Sequence, residues 1–116
     1  MRVVEITPDY SVSPQLGVPD VAEVRELGFR SILCNRPDGE EAGQPEVAAI
    51  RQEAERLGLI FAWVPVVSGA ITGENVEDFA AAFDALPKPV LAYCRSGGRC
   101  QNLWMLAQRG RAARAR

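Results

Sequence analysis

Leu91–Cys100 reads LAYCRSGGRC, with Pro87 and Pro89 just ahead of it. An apolar, strand-like run over Val90–Tyr93 ends at Cys94. Arg99 follows after four residues that are small, flexible or cationic. A helix is predicted from about Arg99 to Arg109, with Leu103, Leu106 and Ala107 turned inward. The stretch is a strand-to-helix junction. It is either a glycine-rich turn over an inert buried cysteine, or a cradle for an anion with a sulfur nucleophile at its floor.

Outward from this junction the chain alternates in the same way. Short strands are predicted at Val3–Ile6 and Tyr10–Val12, split by a Pro-Asp turn, and a helix at Val18–Leu27 with Pro19 in its first turn and Gly28 as its cap. Arg30–Asn35 reads as a buried strand, followed by the polar loop RPDGEEAGQ. A second helix starts at Pro45, with Val47, Ile50 and Ala54 on one face and Gly58 at its end. Ile60–Val66 is the next strand, and Val76–Leu86 the next helix, with Phe79, Ala82 and Phe83 apolar. Strands alternating with helices at this spacing predict an α/β sandwich with a mainly parallel central sheet flanked by helices. Ligands gather at the carboxyl ends of strands in such sheets, and CRSGGR sits at that position. One catalytic domain is expected over residues 1–110, with 111–116 as a basic C-terminal tail that reads as a solvated helix end.

Composition narrows the chemistry. Hydrophobic residues make up 47% of the 116 and charged residues 24%, enough for a core without disulfides or metal. The net charge of −2 gives no general argument for a nucleic-acid or membrane partner. With no apolar run of spanning length and no signal-peptide pattern, the expectation is a cytoplasmic protein. There is no histidine, which removes Ser-His-Asp and Cys-His catalysis, and the three cysteines lack metal-binding spacing. No cofactor is expected. A nucleophile in this chain must be activated by something other than imidazole.

The junction offers that activation. A helix N-terminus presents unpaired amides and a positive dipole end, and Gly97 and Gly98 let the preceding loop curl so that amides point inward. Arg99 adds a planar fork of donors, and Arg95 and Ser96 complete the anion-binding loop. A cysteine at the floor of this nest has its thiolate stabilised. Cys94 and Arg99 are therefore the expected catalytic pair.

SVSPQL, GFRSILCNRPDGEEAGQP, VPVVSGAIT and PVLAYCRSGGRCQNLW together resemble the phosphatase-like domain of the β-lactamase hydrolase-like proteins, a domain also described as rhodanese-like. The resemblance covers nearly the whole chain apart from the basic tail. It implies a fold like that of the dual-specificity phosphatases, with Cys94 as nucleophile and Arg99 as the anion-binding arginine. The chain departs from the tyrosine-phosphatase pattern in three places. Tyr93 replaces the histidine before the cysteine, four residues rather than five separate Cys94 from Arg99, and Cys100 stands where a serine or threonine belongs.

The shorter loop favours a smaller ligand such as a sulfane sulfur, and rhodanese-type enzymes often show CRSGxR with this count. A phosphatase also needs an acid for its leaving oxygen, and Ser68 and Gly69 occupy the usual place of that acid. Asp38, Glu40 and Glu41 in the earlier loop are substitutes, or else a solvated acidic turn. The expectation is therefore sulfur transfer through a Cys94 persulfide, with a small-molecule persulfide or thiosulfate as partner. The alternative is phosphomonoester hydrolysis through a phosphocysteine, and a third reading is a non-catalytic anion-binding module. Cys100 is either a resolving thiol for Cys94 or a small residue packed beneath the loop, and Cys34 reads as core.

Overall fold

The structure, a computed structural model, describes residues 1–114. In chain order it contains β1 (Val4–Thr7), β2 (Tyr10–Ser13), α1 (Asp20–Glu26), β3 (Ser31–Cys34), α2 (Val47–Arg56), β4 (Ile60–Trp63), α3 (Gly73–Ala85), β5 (Val90–Tyr93) and α4 (Gly98–Arg114). The strands form one sheet in the order β1-β2-β5-β3-β4. Only the β1–β2 pair is antiparallel among the described pairings. The expected α/β architecture with a mainly parallel sheet is what forms.

β5 lies at the centre, and all four of its residues are buried. Side chains alternate across a strand. Val90, Ala92 and Cys94 therefore pack with Phe79, Phe83, Cys100 and Leu103 on the side of α3 and α4. Leu91 and Tyr93 pack with Val21, Val24, Ile50 and Ala54 of α1 and α2 on the other. Each large apolar side chain buried this way contributes roughly 1.5–3 kcal/mol.

Several boundaries differ from the sequence reading, each for a local reason. α2 starts at Val47 rather than Pro45, because the Asp38 carboxylate accepts the Val47 N–H at 2.8 Å. β4 stops at Trp63, before Pro65, which has no N–H to continue a ladder. α3 starts at Gly73, ahead of the expected Val76, because Thr72 and Asn75 form a reciprocal capping box. α4 continues past Arg109 to Arg114, and Arg111 pairs with Asp84 of α3 at 2.6 Å. Part of the expected basic tail is thus helix, while residues 115–116 lie outside the described residues. Leu106 was expected inward but is 36% exposed; Cys100, Leu103 and Ala107 carry the buried face of α4 instead.

Tyr10 locks β2 to α3 and α4. Its ring stacks on Trp104 at 4.5 Å and meets Phe79 and Phe83 edge-on. Its hydroxyl donates to the Cys100 carbonyl at 2.8 Å, which pins the first turn of α4 beside the end of β5. Among the described residues no helix is long and apolar enough to cross a membrane.

Candidate active site

The alternation of β5 points Cys94 toward the N-terminus of α4. Its neighbours in the sheet are the ends of β2 and β3, since Ser13 and Cys34 both pair with Tyr93. Past Cys94 the loop curls back over the sulfur. The Gly97 N–H donates to Cys94 Sγ at 3.1 Å, the Gly98 N–H to Ser96 Oγ at 3.2 Å, and the Gln15 N–H anchors the loop at the Arg95 carbonyl.

This curl requires Gly97 to adopt φ +94°, in the left-handed region. A Cβ there would sit 3.5 Å from the Ser13 backbone, an ordinary contact, so the backbone angle is what demands glycine. Gly97→Ala is expected to destabilise the fold by about 1 kcal/mol or more. It should also lower kcat/KM, by turning the amide off the sulfur. The denaturation midpoint and steady-state rates check both effects.

The Cys94 thiol is held well below its ordinary value, at about 5. The largest cause is a hydrogen bond from the Cys100 thiol. Burial opposes the shift, and the amides of Cys100, Gly97 and Ser96 assist it. Cys100 itself is pushed far up, by burial first and then by the neighbouring Cys94 sulfur. The pair is thus a thiolate with a thiol donor beneath it, and both cysteines are free.

Arg99 is buried behind the loop. Nη1 and Nη2 grip Glu40 at 2.7 and 2.8 Å, and Nη1 also donates to the Val66 carbonyl at 2.9 Å. That uses one edge of the guanidinium. Among the described hydrogen bonds none uses the other edge, Nε–H and the outer Nη2–H; Glu40 first raises the pKa of Arg99, burial opposes this, and Cys94 adds a smaller push upward.

Glu40 is shared. Its Oε1 also accepts from Nε of Arg36, which is 2% exposed and reaches Gln15 and Glu41 with its other nitrogens. Arg99 above all, with Arg36, holds the Glu40 carboxyl at about 2. At neutral pH Glu40 is an ionised clamp and a poor proton donor. Asp38 caps α2, and Glu41 bridges Arg36 and Arg95 at 3.3 and 3.4 Å. All three candidate acids thus accept hydrogen bonds from other groups.

Arg36, Gln15 and Tyr10 support the site without having been singled out in the sequence. The cue for Arg36 is weak: glutamates four and five residues on, in NRPDGEE, are equally consistent with a surface turn. Tyr93, in the histidine position, faces the opposite core beside Cys34; burial pushes its phenol far up. Cys34 is buried, as expected, and its thiol donates to the Arg36 carbonyl. Among the described residues no three His, Cys, Asp or Glu side chains are placed to hold a metal.

A cavity of about 550 Å³ opens over the loop, walled by Ser68, Gly69, Ile71, Arg95, Arg99 and Asn102. Its far wall comes from the β4–α3 segment, so the number of residues between Cys94 and Arg99 does not by itself set the ligand's size.

A cysteine at the end of a central parallel strand, wrapped by a loop that closes on an arginine at a helix start, defines a tyrosine-phosphatase-like domain. The chain belongs to the family described as "Beta-lactamase hydrolase-like protein, phosphatase-like domain", whose model matches residues 1–111. A β-lactamase hydrolase-like protein of Xylella fastidiosa is 35% identical over 108 residues, 93% of this chain but 25% of that protein. The chain thus spans about a quarter of the length of the curated relatives it matches. A candidate phosphatase from Neisseria meningitidis is 40% identical, with a TM-score of 0.83 over 90% of this chain and 74% of that one. The core catalytic domain of the S. cerevisiae PP-IP phosphatase SIW14, in complex with citrate, shares the fold at 13% identity, with a TM-score of 0.63 over 82% of this chain and 56% of that one. These findings favour the phosphatase alternative. They lend no support to the sulfur transfer expected from the loop's length, because the fold shared with these proteins is a phosphatase fold.

Proposed function

We propose that this domain is a cysteine-dependent phosphatase that hydrolyses phosphomonoesters through a phosphocysteine at Cys94. The observation that carries the reading is the Cys94 sulfur at the start of α4, accepting the Gly97 N–H at 3.1 Å beside a buried Arg99 that Glu40 clamps from the other side. Cys94 attacks phosphorus while the loop amides and the Arg99 edge hold the equatorial oxygens. Water then attacks the phosphocysteine, and the Cys100 thiol stabilises the departing sulfur. The test is turnover of an aryl phosphate, with a phosphorylated Cys94 trapped on rapid acid quench. Turnover without a phosphocysteine would overturn the mechanism.

Sulfur transfer is the second reading, favoured by the engaged carboxylates. Incubation with thiosulfate followed by intact mass separates the two: a sulfur adduct on Cys94, without phosphate turnover, selects the persulfide. Phosphate binding with neither reaction selects the anion-binding module.

The Cys100 thiol gives a graded test. Cys100→Ala removes the largest stabiliser of the Cys94 thiolate. The acid limb of kcat/KM, expected near pH 5 in the wild type, should then move to higher pH. Cys100→Ser retains a donor and should restore most of the displacement. An unmoved limb in both variants would show that the amides alone hold the thiolate.

A further inference from the structure

The site contains a strong nucleophile and an anion cradle, yet each carboxyl around its mouth is engaged elsewhere. Glu40 is gripped by both terminal nitrogens of Arg99 and by Nε of Arg36. Asp38 gives Oδ1 to the Val47 N–H at 2.8 Å, at the start of α2. Glu41 places one oxygen on Arg36 and the other on Arg95. The β4–α3 segment across the cavity contributes Ser68, Gly69 and Ile71, which titrate nowhere near neutral pH. The chain has no histidine. Among the described residues lining the mouth, Glu40 and Glu41 are the carboxylates, and both face guanidinium groups.

We infer that this site cleaves phosphoryl groups from leaving groups that depart as stable anions without a proton from the protein, so that its substrates are aryl phosphates, acyl phosphates or phosphoanhydrides rather than alkyl monoesters. The inference rests on the phosphatase reading and specifies its substrate class. In the first step the Cys94 thiolate supplies the electron pair for a new S–P bond. The P–O bond to the leaving group breaks, and that oxygen keeps the pair and departs as an anion. The phosphocysteine is then cleaved by water, whose oxygen joins phosphorus and whose two protons stay with the phosphate product, returning the Cys94 thiolate. No step requires an acid from the chain, and none requires a redox partner. A barrier that includes an unassisted leaving anion depends steeply on that anion's basicity.

The experiment is a leaving-group series on the full chain: substituted phenyl phosphates of increasing phenol pKa, with acetyl phosphate and inorganic pyrophosphate as two further arms and glycerol phosphate as the alkyl arm. The expected result is a fall in kcat/KM of about fivefold or more per unit of leaving-group pKa, with glycerol phosphate the slowest substrate. The further arms tell which stable anion is preferred. Glu41→Gln is expected to leave this slope unchanged. A flat series with ready turnover of glycerol phosphate would overturn the inference while leaving the phosphatase reading standing. A flat wild-type series that turns steep in Glu41→Gln would overturn it too, and would assign the acid to Glu41. Absence of turnover across all the phosphates, beside a thiosulfate-derived adduct on Cys94, would instead overturn the phosphatase reading beneath it.

Discussion

Cys94→Ser is expected to abolish turnover while leaving the fold and the anion cradle intact. The serine hydroxyl does not ionise under conditions that deliver a thiolate at about 5, so the attacking species disappears. Losses for removal of a covalent nucleophile run on the order of 10⁵- to 10⁶-fold in kcat. The substitution is nearly isosteric within a core that includes Cys100, Leu103 and Ala92, so stability should change by about 1 kcal/mol or less. Inorganic phosphate should bind the variant at least as tightly as the wild type, because a negative charge beneath the anion is gone while the Arg99 edge and the Gly97 amide remain. Steady-state kinetics and calorimetric titration check the two halves. A variant that loses phosphate binding along with turnover would move the anion site away from Cys94. One that keeps wild-type turnover would remove Cys94 from the reaction.

Glu40→Gln is expected to damage both stability and catalysis, although Glu40 is placed behind the arginine rather than against the substrate. Arg36 is 2% exposed and Arg99 8%, and the two share this one carboxylate. Breaking a buried pair leaves the opposite charge without its counterion, at a cost of about 3–5 kcal/mol. Glu40 keeps 24% of its side chain in solvent, and Arg36 keeps Glu41 and Gln15. An expected loss of about 2–3 kcal/mol therefore follows, equivalent to roughly 8–12 °C in Tm. With its rear edge released, Arg99 no longer holds its front edge over the sulfur, and misplacement of that kind lowers kcat/KM by about 10²-fold.

A pH signature separates this clamp from plain packing. The Glu40 carboxyl is lowered from 4.5 to about 2 in the folded protein. In that window the unfolded chain binds the proton more readily, so the contribution to stability is complete above about pH 4.5 and is lost as pH falls through about 2. Wild type should lose its advantage over Glu40→Gln across that interval. Two variants whose acid unfolding runs in parallel would mean that the carboxylate charge plays no part.

The legible parts of this protein were the ones coded over short distances. Alternation over Val90–Tyr93, and the residues after it, placed a cysteine at the end of a strand and an arginine at the start of a helix. Those residues are close in sequence, so their closeness in space needs no knowledge of the rest of the chain. The Thr72–Asn75 capping box lies ahead of the apolar periodicity of α3, so periodicity alone starts that helix too late. Helical spacing alone leaves the width of a buried face open and so turns Leu106 inward, whereas the packing of α4 on α3 and β5 ends that face at Ala107.

The acidic loop shows the limit most clearly. RPDGEEAGQ reads more readily as a solvated turn than as a source of general acid; its carboxylates are exposed to solvent, yet each is also a capping or ion-pair partner. Its roles depend on β3 lying directly beside β5, a sheet order that the chain's linear alternation does not encode. That adjacency carries Glu40 onto Arg99, 59 residues away in sequence, and sets Glu41 between Arg36 and Arg95. The sequence by itself determined that Cys94 and Arg99 share one strand-to-helix junction, and it determined the α/β class, because each rests on contacts within a few residues or on strand and helix periodicity. Only the tertiary structure decided which carboxylates are left to act as acids. That depends on which cations reach each of them, and an ion pair between distant residues forms only once the sheet has set the distance.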